Sequence, residues 1–208
     1  MIKDIVTAVF SYIGTTTDYF VVLLLLFGKY QSRKETKPVI IGAYIGNALL
    51  VLVSLAIALL LQQVPAEWLL GLLGLIPIYM GIKSYLSDED EGDEIEERLN
   101  NIQPTSILKD VILITFAACG ADNMALYIPY FTTVSVTTLP IIFAIFIVIL
   151  TVVIYSAYKF VSVPMVKKFF DRQGDLIQMI VYVVLGLYVL IEAGSIQHLS
   201  LIHISEPT

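Results

Sequence analysis

Charged residues are scarce in this chain: 14% of its 208 residues are Asp, Glu, Lys or Arg, whereas 58% are hydrophobic. A soluble domain typically has about 25% charged and about 45–50% apolar residues. Long stretches carry no charge at all, as is typical of helices that cross a lipid bilayer. The composition therefore predicts an all-α integral membrane protein. Basic patches suited to nucleic acid are lacking, so no nucleic-acid partner is expected.

Cysteine is almost absent, since Cys119 is the only one. A single cysteine excludes an internal disulfide and any Cys-x-x-Cys redox or zinc pair. It also argues against a membrane carrier of thiol electrons, which needs two. The sequence has no P-loop, so we expect neither enzymatic activity nor a permanently bound cofactor. The first apolar run lacks a basic n-region and is long enough to span, so it is predicted to be a first helix and not a signal peptide.

Six apolar segments have the length of a membrane span, which is about 20 residues. They lie near 5–28, 38–61, 66–86, 106–131, 137–160 and 174–194. An acidic stretch, SDEDEGDEIEER, separates the third segment from the fourth and is predicted to be a solvated loop. The predicted organisation is a three-helix unit over 1–86, an acidic loop over 87–105 and a second three-helix unit over 106–195.

The two units resemble each other in sequence. IKDIVTAVFSYIGTTTDYFVVLLLLF (2–27) aligns with LKDVILITFAACGADNMALYIPYF (108–131) if a two-residue gap is allowed, and Asp18 then matches Asp122. Three spans are an odd number, so the second unit must enter the membrane from the opposite side. The sequence therefore predicts two inverted-topology repeats, an architecture typical of transporters that bind their cargo near the midplane.

Basic residues predict the orientation of the spans. Eleven of the 12 Lys and Arg residues fall in or beside the loops 29–37, 87–105 and 159–173, and only Lys3 lies on the other side. Loops rich in Lys and Arg face the cytoplasm. We therefore predict a multi-pass protein with both termini outside the cytoplasm.

Two acids interrupt the apolar spans, and they are the main candidates for function. Asp18 and Asp122 lie near the middle of spans one and four, where a carboxylate is costly and usually serves binding or proton transfer. Neighbouring glycines and a proline are expected to loosen these helices and to free backbone carbonyls. Carboxylates with amide and hydroxyl oxygens suit a divalent cation, and a thiolate would favour zinc or cadmium. The predicted metal ligands are Asp18, Asp122, Asn123, Thr17 and Cys119, with Asn47, Thr15 and Tyr127 as secondary candidates.

The C-terminal residues do not continue this pattern. Residues 199–208, LSLIHISEPT, resemble a translated sequencing adapter, and we expect 196–208 not to belong to the native protein. The two histidines, His198 and His203, lie in this tail and are left out of the predicted metal site.

The segments GTTTDYFVVLLLLF and CGADNMALYIPYF resemble the bacterial cadmium resistance transporter family, which is part of the lysine exporter superfamily. The resemblance extends to about residue 195, and the block Gly120–Phe131 is its most specific part. The resemblance implies that the protein exports a heavy-metal ion across the bacterial cytoplasmic membrane. The ion is most often cadmium, and zinc and manganese are the other candidates. Proton antiport is the expected driving process, because the two acids can alternate between metal-bound and protonated states.

Two other functions and one question of oligomeric state remain open. The cargo could be an amino acid or another small organic cation, which would need a helix N-terminus for its carboxylate and apolar room for its side chain. The protein could instead sequester metal in the membrane without transporting it, although an inverted repeat favours alternating access. The sequence also leaves open whether the chain forms a homodimer.

Overall fold

Within residues 2–63, 67–86 and 106–193, which the computed structural model describes, the chain forms helices joined by short connections. They are α1 (Ile2–Lys29), α2 (Arg33–Leu61), α3 (Glu67–Leu72), α4 (Leu75–Leu86), α5 (Ile107–Thr133), a 3-10 helix (Val136–Thr138), α6 (Leu139–Phe160) and α7 (Pro164–Glu192). The acidic loop and the tail after residue 195, both singled out in the sequence, lie outside the described residues.

Several of these helices can cross a membrane. By length and hydropathy, α1, α2 and the segment Val136–Phe160 qualify, and α5 is a fourth if its two arms form one span. At about 1.5 Å per residue, the 28 residues of α1 extend for about 42 Å, more than the roughly 30 Å of a hydrocarbon core. The all-α membrane class predicted from the sequence is confirmed, and the protein is a multi-pass membrane protein.

The third predicted span, 66–86, is not one continuous helix. It is divided into α3 and α4, and at the break the Gly74 N–H donates to the Gly71 carbonyl at 2.9 Å. Glycine disfavours a helix interior, which explains a break at this point. The apolar segments Leu70–Leu86 and Leu176–Glu192 are each shorter than a full span.

Local sequence explains where other helices begin. Ser32 and Glu35 form a capping box at the start of α2. The Ser32 backbone N–H donates to the Glu35 carboxylate at 3.3 Å, which satisfies an N–H group that has no partner within the helix. Pro140 and Pro164 lie in the first turns of α6 and α7, where a missing N–H costs nothing.

The helices pack in pairs that combine the two halves of the chain. α2 packs along α5, α1 along α6 and α4 along α7, and α1 also contacts α7. The GxxxG motif of α2 is structural: a Cβ on Gly42 would come 2.8 Å from Val111, and one on Gly46 would come 2.7 Å from Thr115. Small residues of this kind let membrane helices approach closely.

The first helices of the two halves, α1 and α5, run antiparallel. The Tyr130 hydroxyl near the end of α5 donates to the Asp4 backbone carbonyl at the start of α1, at 2.9 Å. Tyr30, just after α1, lies within electrostatic reach of Asp110 in the first turn of α5. These contacts bring the start of each helix to the end of the other, so the middles of α1 and α5 meet at the same depth.

Candidate cation site

The two intramembrane acids lie halfway along their helices, Asp18 as the seventeenth of 28 residues in α1 and Asp122 as the sixteenth of 27 in α5. Both are partly buried. Both also lie within electrostatic reach of the hydroxyl group of Tyr182, which projects from α7. The structure therefore brings the two acids towards one side chain, from helices that belong to different halves of the chain.

Asp122 lies near a basic side chain and next to a buried amide. Lys83, near the end of α4, is close enough to act electrostatically on the Asp122 carboxylate. Asn123 is 3% exposed, so the amide beside this acid is buried within the protein. These neighbours give Asp122 a basic side chain and a buried amide as company, as expected for a functional acid in a membrane.

The helix that carries Asp122 bends one turn before it. The arms Ile107–Ala117 and Cys119–Thr133 meet at 57°. Pro129, which was expected to loosen the helix, instead lies inside the second arm, and α5 continues to Thr133. Proline removes one backbone hydrogen bond from a helix, but here the sharp change of direction is at the small residues next to Cys119 and Gly120.

The three threonines before Asp18 bond mainly within their own helix. The Thr16 hydroxyl donates to the Tyr12 carbonyl at 2.7 Å, and the Thr17 hydroxyl donates to the Ile13 carbonyl at 3.0 Å. Such bonds to the preceding turn satisfy the hydroxyl proton and often bend membrane helices slightly. Thr17 also lines a groove towards α6, so its side chain is directed to a different neighbour from that of Asp18.

A second polar cluster joins α1 and α5 beside the acids. Thr15 and the Tyr127 hydroxyl are hydrogen-bonded at 2.6 Å, and Tyr19 and Thr115 at 3.1 Å. Each helix thus supplies one tyrosine and one threonine. Because all four side chains are buried, these bonds satisfy groups that would otherwise destabilise the fold.

Four of the predicted ligands, Thr15, Tyr127, Cys119 and Asn47, lie in or next to this cluster. Cys119 is buried and lies within electrostatic reach of both the Tyr19 and the Tyr127 hydroxyls. Asn47 of α2 is close to the Tyr19 hydroxyl, and its amide donates to the Ala43 carbonyl at 3.2 Å. Tyr127 also acts electrostatically on Tyr182, so it connects this cluster to the acids.

The structure does not assemble every predicted ligand around one point. Among the described residues, no group of three or more His, Cys, Asp and Glu side chains is close enough to hold a metal ion. A cavity of about 440 Å³ lies near the ends of α2, α5 and α7. Its lining residues are Gln62, Leu70, Thr132, Thr133, Glu192 and Ala193, and they do not include the two acids.

Sequence reasoning missed Tyr182 and Gln178 on α7. Both are 1% exposed, and the Ser84 hydroxyl of α4 donates to the Gln178 side-chain oxygen at 3.0 Å. A signal was available, because two polar side chains four residues apart lie on one face of a helix, here in an apolar span. Neither side chain carries a charge, which is why they were passed over.

Comparison with known proteins gives the family. The model of the cadmium resistance transporter family matches residues 12–202 of the chain. The chain belongs to the cadmium resistance transporter family. Searches of curated proteins and of solved structures find no match. The match covers all of α5, and α1 from Tyr12 onward, so it includes both acids, and it confirms the family that the sequence resembles.

Membership of the cadmium resistance transporter family identifies the protein with transport. It agrees with the apolar helices of the structure, several of which are long enough to cross a membrane. In such a protein the metal ion is cargo that enters and leaves. An incomplete cluster of charged ligands is consistent with that role, because a transport site must release its ion.

Proposed function

We propose that the protein is a secondary transporter that exports a divalent heavy-metal cation, cadmium foremost, from the cytoplasm in exchange for protons. The observation that carries the proposal is the approach of Asp18 and Asp122 to Tyr182 from helices of opposite direction. Two carboxylates at mid-span provide the negative charge that a divalent cation needs.

An inverted repeat of three plus three spans is part of this proposal, and the helix pairing supports it. Exchanging the two halves converts the pair α1–α6 into the pair α5–α2, and both pairs are in contact. The same exchange leaves the pairs α1–α5 and α4–α7 in place, and these are in contact as well. In transporters built this way, movement of one repeat against the other exposes the site to alternate sides.

Proton exchange follows from the chemistry of two neighbouring acids. With the cation bound, both carboxylates carry charge that the cation balances. After release, two bare carboxylates would make the return through a low-dielectric barrier costly, whereas protons make it cheap.

Export requires that the basic loops face the cytoplasm and that both termini lie outside. A cysteine placed at Gln63, which ends the turn after α2, should then react with an impermeant thiol reagent added to intact cells, whereas one at Ser87 should not. The reverse labelling pattern would mean that the topology is inverted and that the inferred direction of transport is wrong.

Metal accumulation in inverted membrane vesicles tests the function. We expect uptake of cadmium that depends on a pH gradient, with zinc and manganese as comparison ions and arginine or lysine as organic cations. The double variant Asp18→Asn/Asp122→Asn is the inactive control. Uptake of an amino acid in place of metal would identify an organic-cation exporter, and metal binding without flux would identify a sequestration protein.

A further inference from the structure

The hydroxyl group of Tyr182 is buried without a hydrogen-bond partner among the described residues. The whole Tyr182 side chain is 1% exposed. Among those residues, only one other buried side-chain polar atom is in this state, Oδ2 of Asp110. A buried hydroxyl without a partner destabilises a protein, so its presence requires a reason.

Close packing holds the Tyr182 side chain in place. A Cβ on Gly81 of α4 would come 2.8 Å from the Tyr182 Cβ. Val181, the residue before Tyr182 in α7, packs directly on Gly14 of α1, one helical turn before Asp18. Glycines at both contacts let three helices approach closely, so the ring has little freedom to turn its hydroxyl elsewhere.

The hydroxyl lies between groups suited to a cation. Both Asp18 and Asp122 are within electrostatic reach of it. Gln178, one turn earlier on the same face of α7, is also close to it but is engaged by the Ser84 hydroxyl. Two carboxylates and an amide therefore lie around the hydroxyl, and Lys83 of α4 acts on one of those carboxylates, Asp122.

We propose that Tyr182 is a further residue of the cation site, supplied by α7, and that its hydroxyl oxygen contacts the transported cation directly or through one water molecule. This inference rests on the proposed function. A neutral phenol oxygen adds a ligand without adding charge, and its attachment to α7 links cation binding to a helix that carries neither acid.

The variant Tyr182→Phe separates this role from a structural one. It removes only the hydroxyl and keeps the packed ring. Because that hydroxyl makes no hydrogen bond to the described residues, the metal-free variant should melt at the wild-type temperature or higher. Cadmium should nevertheless stabilise it less, and the KM for cadmium uptake should rise by about 10- to 100-fold, the usual effect of losing a group that supports a metal ligand.

Tyr130→Phe is the matched control, because its hydroxyl is also buried but donates to Asp4 far from the acids. It should lower the melting temperature and leave the KM for cadmium unchanged. The proposal is overturned if Tyr182→Phe has the wild-type KM, or if it melts at a lower temperature without metal. Failure of the proposed function looks different: the wild-type protein would then neither bind cadmium nor accumulate it, and both proposals would fall.

Discussion

The helix pairs α2–α5 and α1–α6 occupy equivalent places in the proposed repeat, but they pack in different ways. In the first pair, glycines of α2 lie against Val111 and Thr115 of α5. In the second, a groove of about 700 Å³ lies between the helices, lined almost entirely by apolar side chains together with Thr16 and Thr17. In the proposed repeat, each helix therefore keeps its partner, while the contacts between the partners differ.

The two acids also follow different local structures. Asp18 follows three threonines that bond back to the preceding turn of α1. Asp122 follows a 57° bend in α5 and has the basic Lys83 nearby. Experiment can therefore decide whether transport needs both acids or only one.

The largest effect is expected from the single variants Asp18→Asn and Asp122→Asn. Each keeps the side-chain shape and removes one of the two charges that balance a divalent cation. Expression and insertion should remain near normal, because a neutral amide costs the bilayer less than a carboxylate. The initial rate of cadmium uptake into inverted vesicles should fall by more than the roughly 10- to 100-fold typical of groups that only support a metal ligand.

Asp4→Asn is the control for these variants, because it makes the same change in the first turn of α1, far from Asp18. Uptake by this variant should be close to that of the wild type. If Asp18→Asn alone kept the wild-type rate, the halves would not be equivalent, and the site would belong to α5. If both variants kept it, the proposed site would be wrong.

A smaller effect, on stability, is expected from the glycine contact that distinguishes the two helix pairs. Gly46→Ala would place its Cβ 2.7 Å from the Cβ of Thr115, whereas Gly28→Ala would meet only a Val161 methyl group at 3.9 Å. Overpacking of this kind costs about 1–3 kcal/mol. In detergent, Gly46→Ala should melt at a lower temperature than the wild type, and Gly28→Ala should not.

Equal melting temperatures for these two alanine variants would mean that the α2–α5 contact yields easily. The glycine contacts between α2 and α5 would then contribute little to stability. The two halves would differ in function only through the surroundings of the two acids.

The membrane class could be predicted from composition. The two acids could be singled out as candidates because a charged residue within an apolar span is conspicuous in the sequence. The sequence did not predict that α3 and α4 are separate helices, because a glycine such as Gly74 weakens a helix without always ending it, as Gly42 and Gly46 inside α2 show. Tyr182 was missed for a similar reason. A tyrosine in an apolar span is usually packing, and only its closeness to both acids, across three helices, distinguishes it.

The smallest effect is expected at Cys119, which has no counterpart in the first half. Cys119 precedes Gly120 in α5, and Ile13 precedes Gly14 in α1. The thiol lies near the Tyr19 and Tyr127 hydroxyls, in the polar cluster beside the acids. A soft sulfur ligand in only one half would favour cadmium over harder ions such as manganese.

Cys119→Ser should therefore lower the ratio of cadmium to manganese uptake by about tenfold, the lower end of what replacing a group at a metal site costs. Cys119→Ala should also lower cadmium uptake but should not improve manganese uptake, because it supplies no oxygen in place of the sulfur. Uptake ratios measured in the same vesicles cancel differences in expression. If both variants kept the wild-type ratio, Cys119 would be a buried apolar side chain, and metal preference would have to come from the oxygen ligands that the two halves share.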